Sequence, residues 1–250
     1  MKEFFGFGGY AREPEGAYSW QHILFVSSLM AVMLLLSITI GLRNRKRDGA
    51  AKNRVLVVSA LLIDGLEIFK LIICGFRGDN LLYDLPLFLC SIQLITIPLA
   101  AFSKGRVREA ALDFVCIFGI LGAVAGTYCA AQNYGSYPVL GFDNVVSGLT
   151  HSISGFCSVY ILVSGLASMR KKNIVITFAI MLFFCAAAYI ADVLIPYNYM
   201  FLMWGDGTPY DVFYNLVNGN GVLYPALVVG LFLLYISLFY LVFYLVKKKK

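Results

Sequence analysis

The stretch QHILFVSSLMAVMLLLSITIGL (residues 21–42) decides the fold. It contains no Asp, Glu, Lys or Arg, and about 20 predominantly apolar residues are what an α-helix needs to cross the hydrocarbon core of a bilayer. RNRKRDGAAKNR (43–54) follows directly, with six basic residues. A long apolar run closed by a cluster of Lys and Arg reads as a membrane span held on one side by charge. Six further stretches read the same way: 54–74, 83–102, 110–131, 147–168, 173–194 and 222–246. The expected fold is therefore all-α, a polytopic bundle of seven transmembrane helices. Connections between the spans are short, so residues 1–250 are expected to form a single domain, without internal repeats.

Composition agrees with this reading. The chain is 60% hydrophobic and 14% charged, against about 25% charged in a typical soluble domain, and its mean hydropathy is +0.79. The net charge of +6 is gathered in short clusters between apolar runs, which argues for topology and against a nucleic-acid partner. The basic residues alternate. SKGRVRE (103–109), RKK (170–172) and the KKKK tail (247–250) continue the series begun at 43–54. Across 75–83, 133–144 and 196–221 the only basic residue is Arg77. By the positive-inside rule the N-terminus lies outside and the C-terminus in the cytoplasm of a multi-pass protein of the cell membrane. The first twenty residues are polar and aromatic, with no cleavable signal peptide expected. The loop 196–221 is too aromatic for a free loop and is expected to lie at the outer interface, partly as a short helix.

With that orientation, the polar residues inside spans sort by depth, at about 1.5 Å per helical residue. Asp64 falls near the middle of the membrane, and Glu67 and Lys70 lie progressively nearer the outer face. Their i, i+3 spacing permits an ion pair. In the third span Cys90 is expected about 10 Å below the outer surface, with Pro86 and Gln93 on the same side of a helix; Asp84 lies at its outer end. His151, Ser154 and Ser158 make a polar stripe down the fifth span. His22 opens the first span and Asp192 closes the sixth, both at the outer face. Ionisable groups in a membrane cost about 2.5–3.5 kcal/mol each on insertion scales, so they face protein or water. Their concentration in the outer half points to a pocket opening outward. The six cysteines lie in or beside apolar runs, without the spacing of a disulfide framework or a zinc site. No metal or cofactor is expected, since nucleotide, zincin and haem motifs are missing.

Several strings together resemble the YwaF-like family of integral membrane proteins, to which the transmembrane protein 164 acyltransferases of animals are related. They are FFGF near the start, SWQH entering the first span, LPLFLCSI in the third, GLTHS entering the fifth and NYMFL after the sixth. The resemblance covers most of the chain. It implies a helical bundle whose polar residues line an outward cavity, and thiol-dependent acyl transfer on phospholipids through an acyl-cysteine. It carries the family's cysteine onto Cys90 and its histidines onto His22 and His151. One position departs: the pattern L-P-L-H-x-C has Phe88 here in place of histidine, so either this chain lacks the thiol's partner or the proton passes to His151 or His22.

Two main functions follow. In the first, Cys90 attacks a phospholipid ester, His151 (or His22) takes its proton, Lys70 supplies positive charge, Glu67 or Asp84 orients the histidine, and Gln93 donates to the oxyanion. In the second, the same pocket, with Asp192 at its edge, binds or transports a small polar or lipidic ligand without chemistry, a role Asp64 would suit. A structural or assembly subunit needs only the helix packing. Membrane lipids are the expected partners in either of the first two, and a phospholipid is the substrate in the first.

Overall fold

The computed structural model describes residues 2–248, so Lys249 and Lys250 of the basic tail lie outside the described residues. Within them the chain is helical, with no strand. The elements are α1 (Trp20–Asn44), α2 (Gly49–Arg77), a 3-10 turn (Leu81–Asp84), α3 (Gln93–Phe102), α4 (Gly105–Tyr128), α5 (Ala131–Ser136), α6 (Phe142–Ser164), α7 (Ile174–Leu194), α8 (Asp211–Leu216) and α9 (Leu223–Lys248). Among the described residues, five helical segments are long and apolar enough to cross a membrane: α1, α4 with α5, α6, α7 and α9. The α2 helix has the length but also carries Asp64, Glu67 and Lys70.

Local chemistry sets the boundaries. The Ser19 hydroxyl accepts from His22 N–H at the start of α1, and the Asp48 carboxylate accepts from Ala51 N–H at the start of α2, each satisfying one orphan amide of a first turn. Gly78 and Gly165 end α2 and α6 in the left-handed conformation, at φ 82° and 76°. Glycine adopts that conformation without the Cβ penalty. Gly165 therefore stops α6 at Ser164, where the apolar pattern alone suggests continuation to 168.

The third span differs most from expectation. Only Gln93–Phe102 is α-helical, whereas 83–102 is expected to be one helix. Pro86 is the physical reason. It has no N–H to donate and excludes the helical conformation from the residue before it; Leu85 is extended, at φ −60° and ψ 143°. From Leu85 to Ile92 the chain runs in tight turns, with Leu87 N–H bonded to Leu85 C=O and Gln93 N–H to Cys90 C=O. The shared helical stripe expected for Pro86, Cys90 and Gln93 therefore does not exist.

The centre of the bundle is α4, buried without a break from Ala110 to Gly119. It packs against α6 through small residues. A Cβ on Gly119 would strike the Ser154 carbonyl, one on Gly126 the His151 ring, and one on Gly155 the Ala123 methyl. Close approach through small residues is the usual contact of helices in lipid, where burial itself supplies little drive. The α1 helix lies on α6, α2 lies on α6 and α3, α3 lies on α4, and α7 packs with α9. Large apolar side chains such as Leu35, Leu61, Phe183 and Leu241 cover the outside, as lipid contact requires and water would not favour.

The basic segments gather at one end. There Arg108 bonds Asn53 and the Ala100 carbonyl, Arg170 pairs with Glu109, and Lys171 lies over the Tyr244 ring at 4.6 Å. Beneath them Asp113, fully buried, accepts from Met169 N–H, Asn173, Ser168 and Tyr240, tying α4 to the α6–α7 connection and to α9. The opposite end is closed by the N-terminal segment. Phe142 N–H bonds Phe4 C=O, Val139 N–H bonds Glu15, and Asp143 receives both Arg77 (2.7 and 2.8 Å) and the Tyr10 hydroxyl (2.6 Å). The 196–221 loop lies at this end too, as a 3-10 turn (Tyr199–Phe201) and the short α8.

Candidate functional site

Between α2, the broken segment 85–92 and α6 lies a small cavity of about 30 Å³, room for about one water. Glu67 lines it from α2, Cys90 and Ser91 from the broken segment, and Thr150, His151 and Ser154 from α6; Ile63 and Leu94 complete its wall. Three elements distant in sequence thus bring Cys90, His151 and Glu67 together.

The break positions the thiol. Cys90 sits in turns just before the first residues of α3, beside α4 where Gly122 leaves room: a Cβ on Gly122 would stand 3.6 Å from Cys90 Cα and Cβ. Irregular backbone at membrane depth is tolerated where protein surrounds it or where it lines a cavity. Its hydroxyl neighbour is Ser91, at 4.0 Å from Sγ.

His151 is held from one side. Its Nδ1 lies 2.7 Å from the Ser147 carbonyl one turn earlier. A carbonyl only accepts, so Nδ1 carries the hydrogen, and in the neutral ring Nε2 bears the lone pair. That Nε2 is buried and has no hydrogen-bond partner among the described residues. The ring lies against Gly126 of α4, where any side chain would displace it. The result is an oriented imidazole with its basic nitrogen free, on the wall it shares with the Cys90 thiol.

The remaining candidates are placed differently. Lys70 bridges Asp84 at 2.7 Å and Glu67 at 3.3 Å, so its charge is matched by two carboxylates, and it is not among the cavity residues. Glu67 connects this charged group to the cavity. His22 is fully buried elsewhere: Nε2 donates to Thr127 C=O at 3.0 Å, Nδ1 accepts from Tyr18 N–H at 2.9 Å, and the ring stacks on Tyr134 at 3.8 Å. With both nitrogens engaged, it is not brought to the thiol. Gln93 is fully buried; its carbonyl accepts from Thr96, and its amide nitrogen has no partner among the described residues. It too is away from the cavity wall. Asp192 accepts from Tyr199 N–H at 2.7 Å and anchors the 196–201 turn. Phe88 points into that same turn, its ring 5.1 Å from Tyr199 and 5.9 Å from Tyr197.

Sequence reasoning did not single out Ser91 and Thr150 as site residues, and it read Ser154 only as part of a stripe. Nothing in a serine's or threonine's position along an apolar helix marks which one faces a void.

A bundle sheathed in apolar side chains, with a polar thiol–imidazole cavity enclosed between its helices, defines a helical membrane protein. The chain belongs to the TMEM164 family, whose family model matches residues 17–245. No curated protein and no solved structure matches it.

Proposed function

We propose that the protein is a membrane-embedded acyltransferase or hydrolase of lipid esters, with Cys90 as nucleophile and His151 as its base and acid. Within the TMEM164 family, the resemblance carried by the strings quoted above supports grouping it with the YwaF-like members. In this reading the chain crosses a cell membrane seven times, the broken segment with α3 serving as the third crossing. Contacts at its two extremities support that count: Tyr83 stacks on Tyr197 at one end, and Ala101 C=O accepts from Asn53 at the other. The gathering of basic segments at one end supports an outside N-terminus and a cytoplasmic C-terminus.

The observation that carries the reading is the unpartnered Nε2 of His151 facing a cavity it shares with Cys90. A free thiol has a pKa of about 8.5 and needs a base or a positive neighbour to react as thiolate. His151 takes the Cys90 proton as sulfur attacks the ester carbonyl carbon. Collapse of the tetrahedral intermediate breaks the carbon–oxygen bond, and His151 returns the proton to the departing alkoxide. A second alcohol, or water, then attacks the thioester with His151 again as base, restoring the thiol. At about 30 Å³ the cavity admits a lipid ester only after the 85–92 segment shifts, a step of the kind that gates many enzymes.

Mass spectrometry of the purified full-length protein tests this. A hydroxylamine-labile acyl mass on the peptide containing Cys90, absent in Cys90→Ser, is expected. A second reading is favoured by one observation: Asp64 is half-buried and makes no hydrogen bond or ion pair to another described residue, as a proton or cation site in a transport protein would be. If Cys90 carries no acyl group after incubation with phospholipid, that reading takes precedence.

A further inference from the structure

We infer that Ser154 is the oxyanion donor of this site: its hydroxyl, together with the free backbone N–H of Cys90, holds the tetrahedral oxygen that forms when Cys90 attacks an ester. The inference rests on the Cys90–His151 reading and assigns it a residue.

Ser154 is 3% exposed, lines the cavity with Cys90 and His151, and its Oγ has no hydrogen-bond partner among the described residues. That is unusual for its position. A serine inside a helix ordinarily returns its hydroxyl to the carbonyl one turn back, and its neighbour Ser152 does so, donating to Gly148 C=O at 2.7 Å. Ser158, one turn further, crosses to Cys116 C=O at 2.6 Å. Between them Ser154 does neither. A buried hydroxyl left unpaired costs about 1–3 kcal/mol, a cost that a pre-set donor recovers when charge develops in front of it. Gly119 lets α4 press directly on the Ser154 carbonyl, which fixes this part of α6 against the core.

The backbone supplies the second donor. In the broken segment the N–H groups of Leu89, Cys90 and Ser91 bond to no backbone carbonyl among the described residues. In a regular helix each would be consumed by the residue four positions earlier. A nucleophile's own N–H is close to the oxyanion by covalent connection, as in serine proteases. On attack, the sulfur lone pair forms the carbon–sulfur bond and the carbonyl π pair moves onto oxygen. The hole holds that charge until the pair returns and the alkoxide leaves. Break, free amide and unpaired serine are then parts of one device.

Two reagents separate the roles. Alkylation of Cys90 by iodoacetamide passes through no oxyanion, whereas acylation by p-nitrophenyl butyrate does. In full-length protein in detergent, Ser154→Ala is expected to alkylate at the wild-type rate and to acylate about a hundredfold more slowly. Ser154→Thr, which keeps the hydroxyl, is expected to recover most of the acylation. Equal acylation of Ser154→Ala and wild type would overturn the assignment while leaving the dyad intact. Loss in both variants with alkylation preserved would reduce Ser154 to packing, and overturns it as well. If wild-type Cys90 reacts with either reagent no faster than Cys116, the dyad itself fails, and the inference with it.

Discussion

His151 is gripped at one nitrogen and open at the other, and the consequences can be measured residue by residue. Cys90 should alkylate faster than the deeply buried Cys116 and Cys185, and His151→Ala should slow it on the order of tenfold or more. Gly126→Ala should do the same without touching either partner, because the new methyl occupies the space of the imidazole; an unchanged rate there would mean that the ring orientation is immaterial. His22→Ala should instead lower stability by about 1–3 kcal/mol, since it strips partners from Thr127 C=O and Tyr18 N–H, and should leave the Cys90 rate alone. Phe88→His should not raise that rate, because position 88 is turned toward Tyr197 and Tyr199. The sequence made Cys90, His151 and Glu67 legible as a group through residue type and depth, two properties that helix geometry conveys directly. It did not separate His22 from His151. That distinction lies in whether the neighbouring carbonyls and amides use one ring nitrogen or both, and those neighbours come from other helices.

At the scale of elements, two features set the bundle: the break before α3 and the buried carboxylate of Asp113. The break was half legible. Pro86 and Pro98 were visible in one span, yet Pro98 sits inside the α3 helix while Pro86 ends regularity altogether. Position explains the difference. Pro86 follows only the four-residue 3-10 turn Leu81–Asp84 and holds Leu85 extended, whereas Pro98 follows a turn of α3 already formed. Four donors from two other parts of the chain converge on Asp113, a convergence that its place in an apolar run does not reveal. Asp113→Ala would leave the Met169 N–H unpaired in the core and strip Asn173, Ser168 and Tyr240 of their shared acceptor. It should destabilise the detergent-solubilised protein by on the order of 3 kcal/mol, seen as a lower melting temperature by intrinsic fluorescence, with Asp113→Asn intermediate. A melting temperature unmoved by Asp113→Ala would remove this cluster from the list of what holds α4, α7 and α9 together.

For the molecule as a whole, charge asymmetry was the most legible property. The alternation of basic and non-basic connections in the sequence corresponds to two physically distinct ends, because each successive long helix reverses the chain and carries the next connection to the other end of the bundle. The sidedness proposed from it predicts that an enzyme reporter active only outside works when fused after Gly135 and is silent after Lys172. The reverse pattern would place the cavity's end in the cytoplasm and change the leaflet from which a lipid could enter. Helix lengths were less legible, since apolar composition continues past the glycine caps that stop the helices.

The clip at the end opposite the basic segments also sets an order in time. Tyr10 and Asp143 are 133 residues apart, and Glu15 waits for the Val139 amide. Until residues 138–143 have been made, the amino-terminal segment can meet only α2, where Arg77 donates to Phe5 C=O. It locks only when the start of α6 has been threaded into place, joining the earliest part of the chain to its middle. A nascent chain arrested before residue 138 should therefore keep Tyr10 open to protease, and one released after α6 should protect it. The clip thus closes only once the start of the helix that carries His151 has arrived.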